Sequence, residues 1–164
     1  MANQKIIDLF SYSEDSISHL RWKIDGLRHK AGDEVIPWVD RAGYQVVNVS
    51  GKKVFVHRIV HEIHRGEIEA GKYVDHIDGD VSNNRINNLR LASSCENSWN
   101  RKKQSNGNPA MPKGISLRND GIYVAAIQKR GERYVKYSKN IDPLISWLSD
   151  MRNELHGEYA NHGA

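Results

Sequence analysis

One continuous stretch near the middle of the chain restricts the fold more than any other. Tyr73-Val74 is typical of a strand end, and Asp78-Gly79-Asp80 is turn-forming. Ser82–Leu89 is rich in side-chain amides, which bond to nearby backbone groups and favour a loop over regular structure. Leu89–Ala92 predicts a second strand, and Ser93–Glu96 fits the capping box that begins a helix. The stretch therefore predicts a strand, a loop, a strand and a helix in that order.

A β-hairpin and a short helix are predicted immediately before this stretch. Gly43–Val49 and Lys53–Val56 have the composition of strands and flank the turn-forming Ser50-Gly51-Lys52. Arg58–Gly66 has apolar residues at helical spacing and ends on a glycine, which favours a helix C-terminus there. Farther upstream, His19–Ile24 alternates apolar and polar residues as a half-buried strand does.

Two neighbouring side chains at the end of the strand before the loop fit the chemistry of phosphodiester cleavage. This reaction needs a divalent cation on the scissile phosphate and a base that activates water. Asp75 supplies a hard oxygen ligand, and His76 supplies an imidazole that accepts a proton near neutral pH. Adjacent strand residues point to opposite faces, so a local bend is needed, and the Asp-Gly turn makes one plausible. Asn97, one turn into the predicted helix, can offer its carbonyl oxygen to the same cation.

Together these residues carry a family resemblance. Asp75-His76, Asn83-Asn84, Asn88-Leu89 and Glu96-Asn97 resemble the motif of the HNH, or ββα-metal, endonucleases, especially their phage homing branch. Val56–Val60 resembles the helix start that precedes this motif in the same branch, and the likeness spans residues 43–100. The resemblance implies that His76 is the general base, that Asp75 and Asn97 bind the metal, and that Asn88 braces the loop.

The same resemblance indicates which metal ions to expect. Family branches with a structural zinc carry pairs of cysteines, whereas Cys95 is the only cysteine of this chain, so no structural zinc is expected. Because Asn97 stands where other branches have histidine, the ligand set implies one hard cation, Mg2+ or Mn2+.

Other polar residues near the motif have simpler interpretations. We expect Asn83, Asn84 and Asn87 to shape turns, and Asp78 and Asp80 to be solvated turn carboxylates rather than a cation site. His57, His61 and His64 are expected to pack or cap the predicted helix, although His57 or Arg58 near the phosphate is an open alternative.

The C-terminal part has a different character. Residues 101–112 are basic and then rich in Gly, Asn and Pro, which predicts a linker whose Arg101, Lys102 and Lys103 touch phosphates or are merely solvated. Ile122–Lys129 and Arg133–Tyr137 predict a hairpin, with Gly114–Leu117 as a third strand. Pro143–Glu158 carries an apolar stripe at helical spacing, so we expect it to pack on one face of this sheet.

The other face of this sheet is expected to bind a polyanion. The chain has a net charge of +4, and residues 113–139 hold seven basic residues against two acidic ones. Alternation places Tyr123, Ala125 and Ile127 toward the helix. Gln128 then points away from the helix, among Lys113, Arg118, Arg130, Arg133 and Lys136, as a sheet that follows DNA requires.

This part also resembles a known family. Lys113-Gly114-Ile115, Tyr123–Ile127 and Glu154–Asn161 are similar to AP2-type DNA-binding domains, which read duplex DNA with their sheet. The tryptophan and several arginines of the plant versions are replaced here, with Ile122, Ala126 and Lys136 at or near those places. The base preference of the family therefore does not transfer.

We predict an α+β protein in two parts. The N-terminal strands and the HNH nuclease occupy residues 1–100, a basic linker 101–112, and a three-stranded antiparallel sheet on one helix, AP2-like, residues 113–164. The family implies metal-dependent hydrolysis of double-stranded DNA to 5′-phosphate and 3′-hydroxyl ends. A noncatalytic DNA-binding protein that keeps the fold as a scaffold is one alternative, and a nuclease that acts on RNA is another.

The cellular setting follows from what the sequence lacks and from the resemblance. No segment approaches the ~18 apolar residues of a membrane helix, and the N-terminus lacks the apolar stretch of a signal peptide, so we expect a protein that is neither membrane-bound nor exported. The likeness to phage homing enzymes implies a phage gene and the cytoplasm of a bacterial host. A monomer and a dimer are both compatible with the sequence, and the role of the first 42 residues stays open.

Overall fold

The computed structural model describes residues 6–100 and 110–161 and divides the chain into two compact units, Met1–Ser94 and Cys95–Ala164. The domain limit predicted at residue 100 lies beyond this boundary. Both units combine strands and helices, which confirms the predicted α+β class. Residues 101–109 of the predicted linker lie outside the described residues. Within the two described ranges, every helix is too short or too polar to cross a membrane.

The first unit consists of small antiparallel sheets around one helix. After a 3-10 helix at Ile6–Leu9, β1 (Phe10–Tyr12) pairs with β2 (Leu20–Trp22). β3 (Trp38–Val39), β4 (Gln45–Val49) and β5 (Lys52–Phe55) form a second sheet with β4 in the centre. α1 spans Val56–Arg65. β6 (Tyr73–His76) pairs with β7 (Leu89–Ala92) around a loop that contains a 3-10 helix at Ile86–Asn88. α2 (Ser94–Trp99) begins at the last residue of this unit.

The hairpin predicted upstream of the motif is confirmed, and its turn explains its register. Val49 pairs with Lys52, which leaves Ser50 and Gly51 as a two-residue loop. Both have positive φ, 51° and 81°, as the hairpin turn that follows the natural twist of the strands requires. α1 starts directly after β5 and ends at Gly66, whose φ of 82° suits a residue without Cβ.

α1 connects the core of the first unit to the loop of the motif. Its Val56, Ile59 and Val60 are buried in a cluster with residues of every sheet of the unit, including Phe10, Leu20, Val47, Val74 and Leu89. At its last turn, the guanidinium of Arg65 donates to the carbonyl oxygen of Leu89 at 2.8 Å and to that of Ile86 at 3.3 Å. These bonds fix the end of the loop against the helix.

The second unit is a three-stranded antiparallel sheet packed on one helix, as predicted. β8 (Ile115–Leu117) and β10 (Glu132–Ser138) flank the central β9 (Tyr123–Lys129). α3 (Asp142–His156) is followed by a 3-10 helix at Gly157–Tyr159. The core joins Ala125 and Ile127 of β9 to Leu144 and Leu148 of α3. The predicted inward side of β9 is therefore correct.

Two basic residues do not lie where the sequence predicted. Lys136 pairs with Ala125, so it lies on the helix side of the sheet, where its Nζ is 5.9 Å from the centre of the Trp147 ring. The Nζ of Lys113 donates to the carbonyl oxygens of Trp99 at 3.2 Å and Asn161 at 3.3 Å. Burial, together with the nearby Arg152, lowers the pKa of Lys113 to about 8. The predicted outward placement of Lys113 and Lys136 is therefore wrong.

Candidate active site

The hairpin of β6 and β7 presents Asp75 and His76 at the end of β6. Asp75 lies opposite Arg90, and His76 lies opposite Leu89. Both Asp75 and His76 are buried. The chain then turns: the amide of Ile77 donates to Asn88 O, the amide of Gly79 donates to His76 O, and Gly79 has a φ of 69°. The Asp-Gly turn expected from the sequence thus follows His76 directly.

The carboxylate of Asp75 forms an ion pair across the hairpin. Both Nε and Nη2 of Arg90 lie 2.9 Å from its Oδ2, and the two side chains are 10% and 6% exposed. Arg90 compensates the buried negative charge of Asp75. A buried carboxylate is strongly destabilising when no cation compensates its charge. Arg90 was not predicted from the sequence, although its place opposite Asp75 follows once the register of the hairpin is known.

His76 is held through one ring nitrogen. Its Nε2 lies 3.1 Å from Oδ1 of Asn84, a fully buried side chain, and Asn84 in turn donates through Nδ2 to Oε1 of Gln45 at 3.0 Å. Because an amide oxygen only accepts, Nε2 is the protonated nitrogen of neutral His76, and Nδ1 carries the lone pair that can accept a proton. The prediction of Asn84 as a turn-former missed this contact.

Aromatic rings line the surroundings of His76. The ring of His57 lies 5.1 Å away at 70°, and that of Tyr44 lies 6.0 Å away. Burial lowers the pKa of His57 to about 3, and the nearby His76 and Arg58 add to the effect. His57 is therefore neutral near pH 7, and it packs in this cluster as the simpler interpretation predicted.

The other two histidines of α1 differ from each other. His61 is buried, and this burial lowers its pKa. The positive charge of the nearby Arg65 lowers it further. His64 is exposed, with its Nδ1 2.9 Å from the carbonyl oxygen of Val60. Both positions agree with the expected packing and capping roles.

Asn88 lies in the position expected of a loop brace. Its Oδ1 accepts from the amide of Asp78 at 3.1 Å, and its Nδ2 donates to Asp78 Oδ1 at 3.0 Å and to Asn83 O at 2.8 Å. Burial acts to raise the pKa of Asp78, but bonds from Asp80, Asn83 and Asn88 outweigh it, so the pKa lies below its usual range. The carboxylate of Asp78 therefore holds the loop together through its hydrogen bonds to Asn83 and Asn88.

The oxygen donors of the motif suit a lightly ligated hard cation. In residues 6–100 and 110–161, no three His, Cys, Asp or Glu side chains converge as a metal-binding cluster. Mg2+ commonly uses one or two carboxylates and takes its other ligands from water and substrate phosphate, and Asp75 fits that requirement. Asn97 is the fourth residue of α2, which continues into the second unit, and its role as a ligand stays a prediction.

The residues predicted to bind DNA have different surroundings. Gln128 and Arg133 pair with each other on the sheet face opposite the helix, and both are exposed. Arg130 lies in the β9–β10 turn with a φ of 50°, and the exposed Arg118 forms an ion pair with Asp120 at 3.0 Å. Arg101, Lys102 and Lys103 lie outside the described residues.

Comparison with known proteins identifies the motif. The family model of the HNH endonucleases matches residues 54–99. Protein 3.8 of Escherichia phage T7 is 34% identical over 105 residues, which cover 63% of this chain and 86% of the phage protein. A protein of Acanthamoeba polyphaga mimivirus, named uncharacterized HNH endonuclease L560, is 33% identical over 125 residues, which cover 75% of this chain and 64% of that protein. No solved structure matches the chain significantly.

The matched segment contains the candidate site residues. It includes Asp75, His76, Asn84, Asn88 and Asn97, and it ends within α2. The resemblance inferred from the motif is thereby confirmed for its nuclease part, and the chain contains an HNH endonuclease domain at residues 54–99.

Proposed function

We propose that the chain is a metal-dependent DNA endonuclease of the homing type, with His76 as its general base. The observation that carries this proposal is the buried pair Asp75 and His76 at the end of β6, where Oδ1 of Asn84 lies 3.1 Å from Nε2 of His76 and orients its ring. The HNH match includes both residues and supports the same assignment.

Each residue of the motif then has a role in hydrolysis. His76 takes a proton from a water molecule, which attacks the scissile phosphorus in line with the leaving oxygen. Asp75 and Asn97 would hold Mg2+ or Mn2+, which when bound stabilises the charge on the phosphate and the leaving 3′ oxygen. Asn88 keeps the loop after His76 in one conformation. The products carry 5′-phosphate and 3′-hydroxyl ends.

We also propose that the second unit binds duplex DNA as an AP2-like domain, through the sheet face opposite α3. Gln128 and Arg133 lie on that face, and Arg130 and Arg118 extend from exposed loops at its ends. Phosphate contacts by Arg101, Lys102 and Lys103 stay a prediction. The phage T7 relative supports a phage origin, and hence a bacterial cytoplasm as the place of action.

Cleavage of supercoiled plasmid and of phage genomic DNA tests the nuclease. We expect nicked or linear product with Mg2+ and none with EDTA, and His76→Ala should lower the rate at least about 100-fold because the base is gone. His64→Ala is the matched control, since it removes an exposed histidine of α1, and it should cut as the wild type does. Cutting by His76→Ala at the wild-type rate would contradict the proposal.

The ion pair of Arg90 with Asp75 favours one second candidate, a noncatalytic DNA-binding protein that retains the HNH fold. Arg90 compensates the charge of the carboxylate within the protein itself, as a scaffold would require. Such a protein would retard DNA on a gel equally with and without His76→Ala and would never cut it. Product that depends on His76 excludes this candidate.

A further inference from the structure

The side chain behind Asn84 suggests how the site selects the reactive nitrogen of His76. Gln45 lies on β4, in a different sheet from His76, and 39 residues separate it from Asn84. Its Oε1 accepts from Nδ2 of Asn84 at 3.0 Å, and Oδ1 of Asn84 lies 3.1 Å from Nε2 of His76. The three side chains therefore form one chain of hydrogen bonds that ends on the proposed base.

We propose that Gln45 is a positioning residue that orients the amide of Asn84 and through it fixes the tautomer of His76. An amide has one accepting end and one donating end of nearly the same shape, so sterics alone do not decide which end faces the histidine. The acceptor on Gln45 engages the donating end of Asn84, and the accepting end is left for His76.

The orientation of Asn84 has a direct chemical consequence. An acceptor at Nε2 stabilises the tautomer with the proton on Nε2, whose lone pair lies on Nδ1. The reversed amide would place a donor at Nε2 and stabilise the opposite tautomer, with its proton on Nδ1. That form has no lone pair at Nδ1, so it would not accept a proton from water on that side of the ring. Burial of Asn84 and His76 keeps water from replacing these bonds.

The proposal rests on the proposed nuclease only for its effect on cutting, because the tautomer itself is measurable in any case. Ring nitrogen signals of His76 in the 15N-histidine-labelled full chain, recorded at about pH 9 where an ordinary histidine is neutral, report which nitrogen carries the proton. In the wild type we expect the proton on Nε2. A proton found on Nδ1 in the wild type would overturn the proposal without any variant.

Two substitutions at Gln45 make the test directional. Gln45→Glu keeps only an acceptor, so it should preserve the tautomer. Gln45→Lys offers only a donor, so Asn84 should reverse, the proton of His76 should move to Nδ1, and cutting should fall at least about 10-fold. Asn48→Lys is the matched control, since it adds the same charge at an exposed position of β4, and it should change neither quantity.

The outcomes separate the proposal from the function on which it builds. A folded Gln45→Lys variant that keeps the proton on Nε2 overturns the role of Gln45. A reversed tautomer supports that role, and if cutting then continues at the wild-type rate, the assignment of Nδ1 as the base is wrong instead. If Gln45→Lys does not fold, Gln45→Leu replaces it: with no partner for Asn84, a share of Nδ1-protonated His76 should appear, and its absence would overturn the proposal.

Discussion

At the scale of single residues, Arg90 and Asp75 form a buried ion pair in the first unit. With 10% and 6% of their side chains exposed, neither charge can be solvated if its partner is removed. We expect Arg90→Met to lower the free energy of unfolding by about 3–5 kcal/mol, because it removes the guanidinium that lies 2.9 Å from a buried carboxylate. Urea denaturation in EDTA measures this loss.

A surface ion pair provides the control for Arg90. Arg118 and Asp120 are 3.0 Å apart but 54% and 45% exposed, so Arg118→Met should change the unfolding free energy by less than ~1 kcal/mol. Equal effects of Arg90→Met and Arg118→Met would contradict the importance assigned to burial. Added Mg2+ should not lower the free energy of unfolding of either variant further.

His57 should make the stability of the first unit depend on pH. Its pKa is about 3 in the folded chain against 6.5 for an ordinary histidine. Below pH 6.5 the unfolded chain therefore binds a proton that the folded chain does not, and stability falls as the pH is lowered from about 6.5 toward 3, by up to ~1.4 kcal/mol per pH unit.

Substitution of the ring isolates this contribution. The free energy of unfolding, measured with urea, should fall between pH 7 and pH 5 in both proteins. In His57→Phe this fall should be smaller than in the wild type by up to about 2 kcal/mol. His64→Phe, which changes an exposed ring on the same helix, is the matched control. An unchanged pH dependence in His57→Phe would show that His57 is protonated as easily when folded as when unfolded.

The sequence indicated candidate site residues but not the side chains that contact them. Asp75, His76 and Asn88 could be proposed because the motif keeps them at fixed distances along the chain. Gln45 was missed because its bond to Asn84 joins residues 39 positions apart, and a glutamine in a predicted strand gives no signal of such a bond. The outward placement of Lys136 failed because the strand pairing, which sets its face, is not visible in charge alone.

At the scale of elements, the end of α2 depends on the second unit. A six-residue helix has little stability of its own. The ring of Trp99 stacks on His156 of α3 at 4.5 Å with an interplanar angle of 5°, and Nζ of Lys129 lies 5.8 Å from the centre of the indole ring. Lys113 donates to Trp99 O, and Asn161 donates to Asn100 O at 2.9 Å.

We expect loss of this stack to loosen α2. His156→Ala should raise amide hydrogen exchange in α2 by about 2–10-fold, because an aromatic pair contributes about 0.5–1.5 kcal/mol beyond its buried area. Exchange measured by mass spectrometry on a peptide that covers α2 tests this. His29→Ala removes an equivalent stack on Trp22 in the first unit, at 3.7 Å, and should leave exchange in α2 unchanged.

Element prediction from the sequence succeeded where the local pattern was strong. The Ser-Gly turn fixed the hairpin of β4 and β5, and the apolar spacing placed α1 and α3 close to their observed limits. β1 was missed because three residues are too few to show an alternation. The helix predicted at Ser93 or Ser94 begins at Ser94, but no local signal indicated that its later residues belong to the second unit.

At the scale of the whole molecule, positive charge is concentrated on the segment that forms the sheet of the second unit. Residues 113–139 carry seven basic residues against Asp120 and Glu132. The sheet register separates these charges by face, since Arg133 pairs with the exposed Gln128 whereas Lys136 pairs with the buried Ala125. Net charge alone would attract DNA to both faces of the sheet. The proposal that DNA binds only the face opposite α3 is therefore more specific than the composition alone would support.

The salt dependence of duplex binding distinguishes the two faces. A phosphate contact adds about one to the slope of log affinity against log salt concentration, because binding there releases a condensed counterion. Arg133→Gln should therefore lower that slope by about one, as measured by fluorescence anisotropy in EDTA to prevent cutting. Lys136→Gln removes the same charge from the same strand on the helix side and should leave the slope nearly unchanged. Equal reductions would show that the DNA responds to the charge of the unit as a whole, and the sheet face opposite α3 would lose its assigned role.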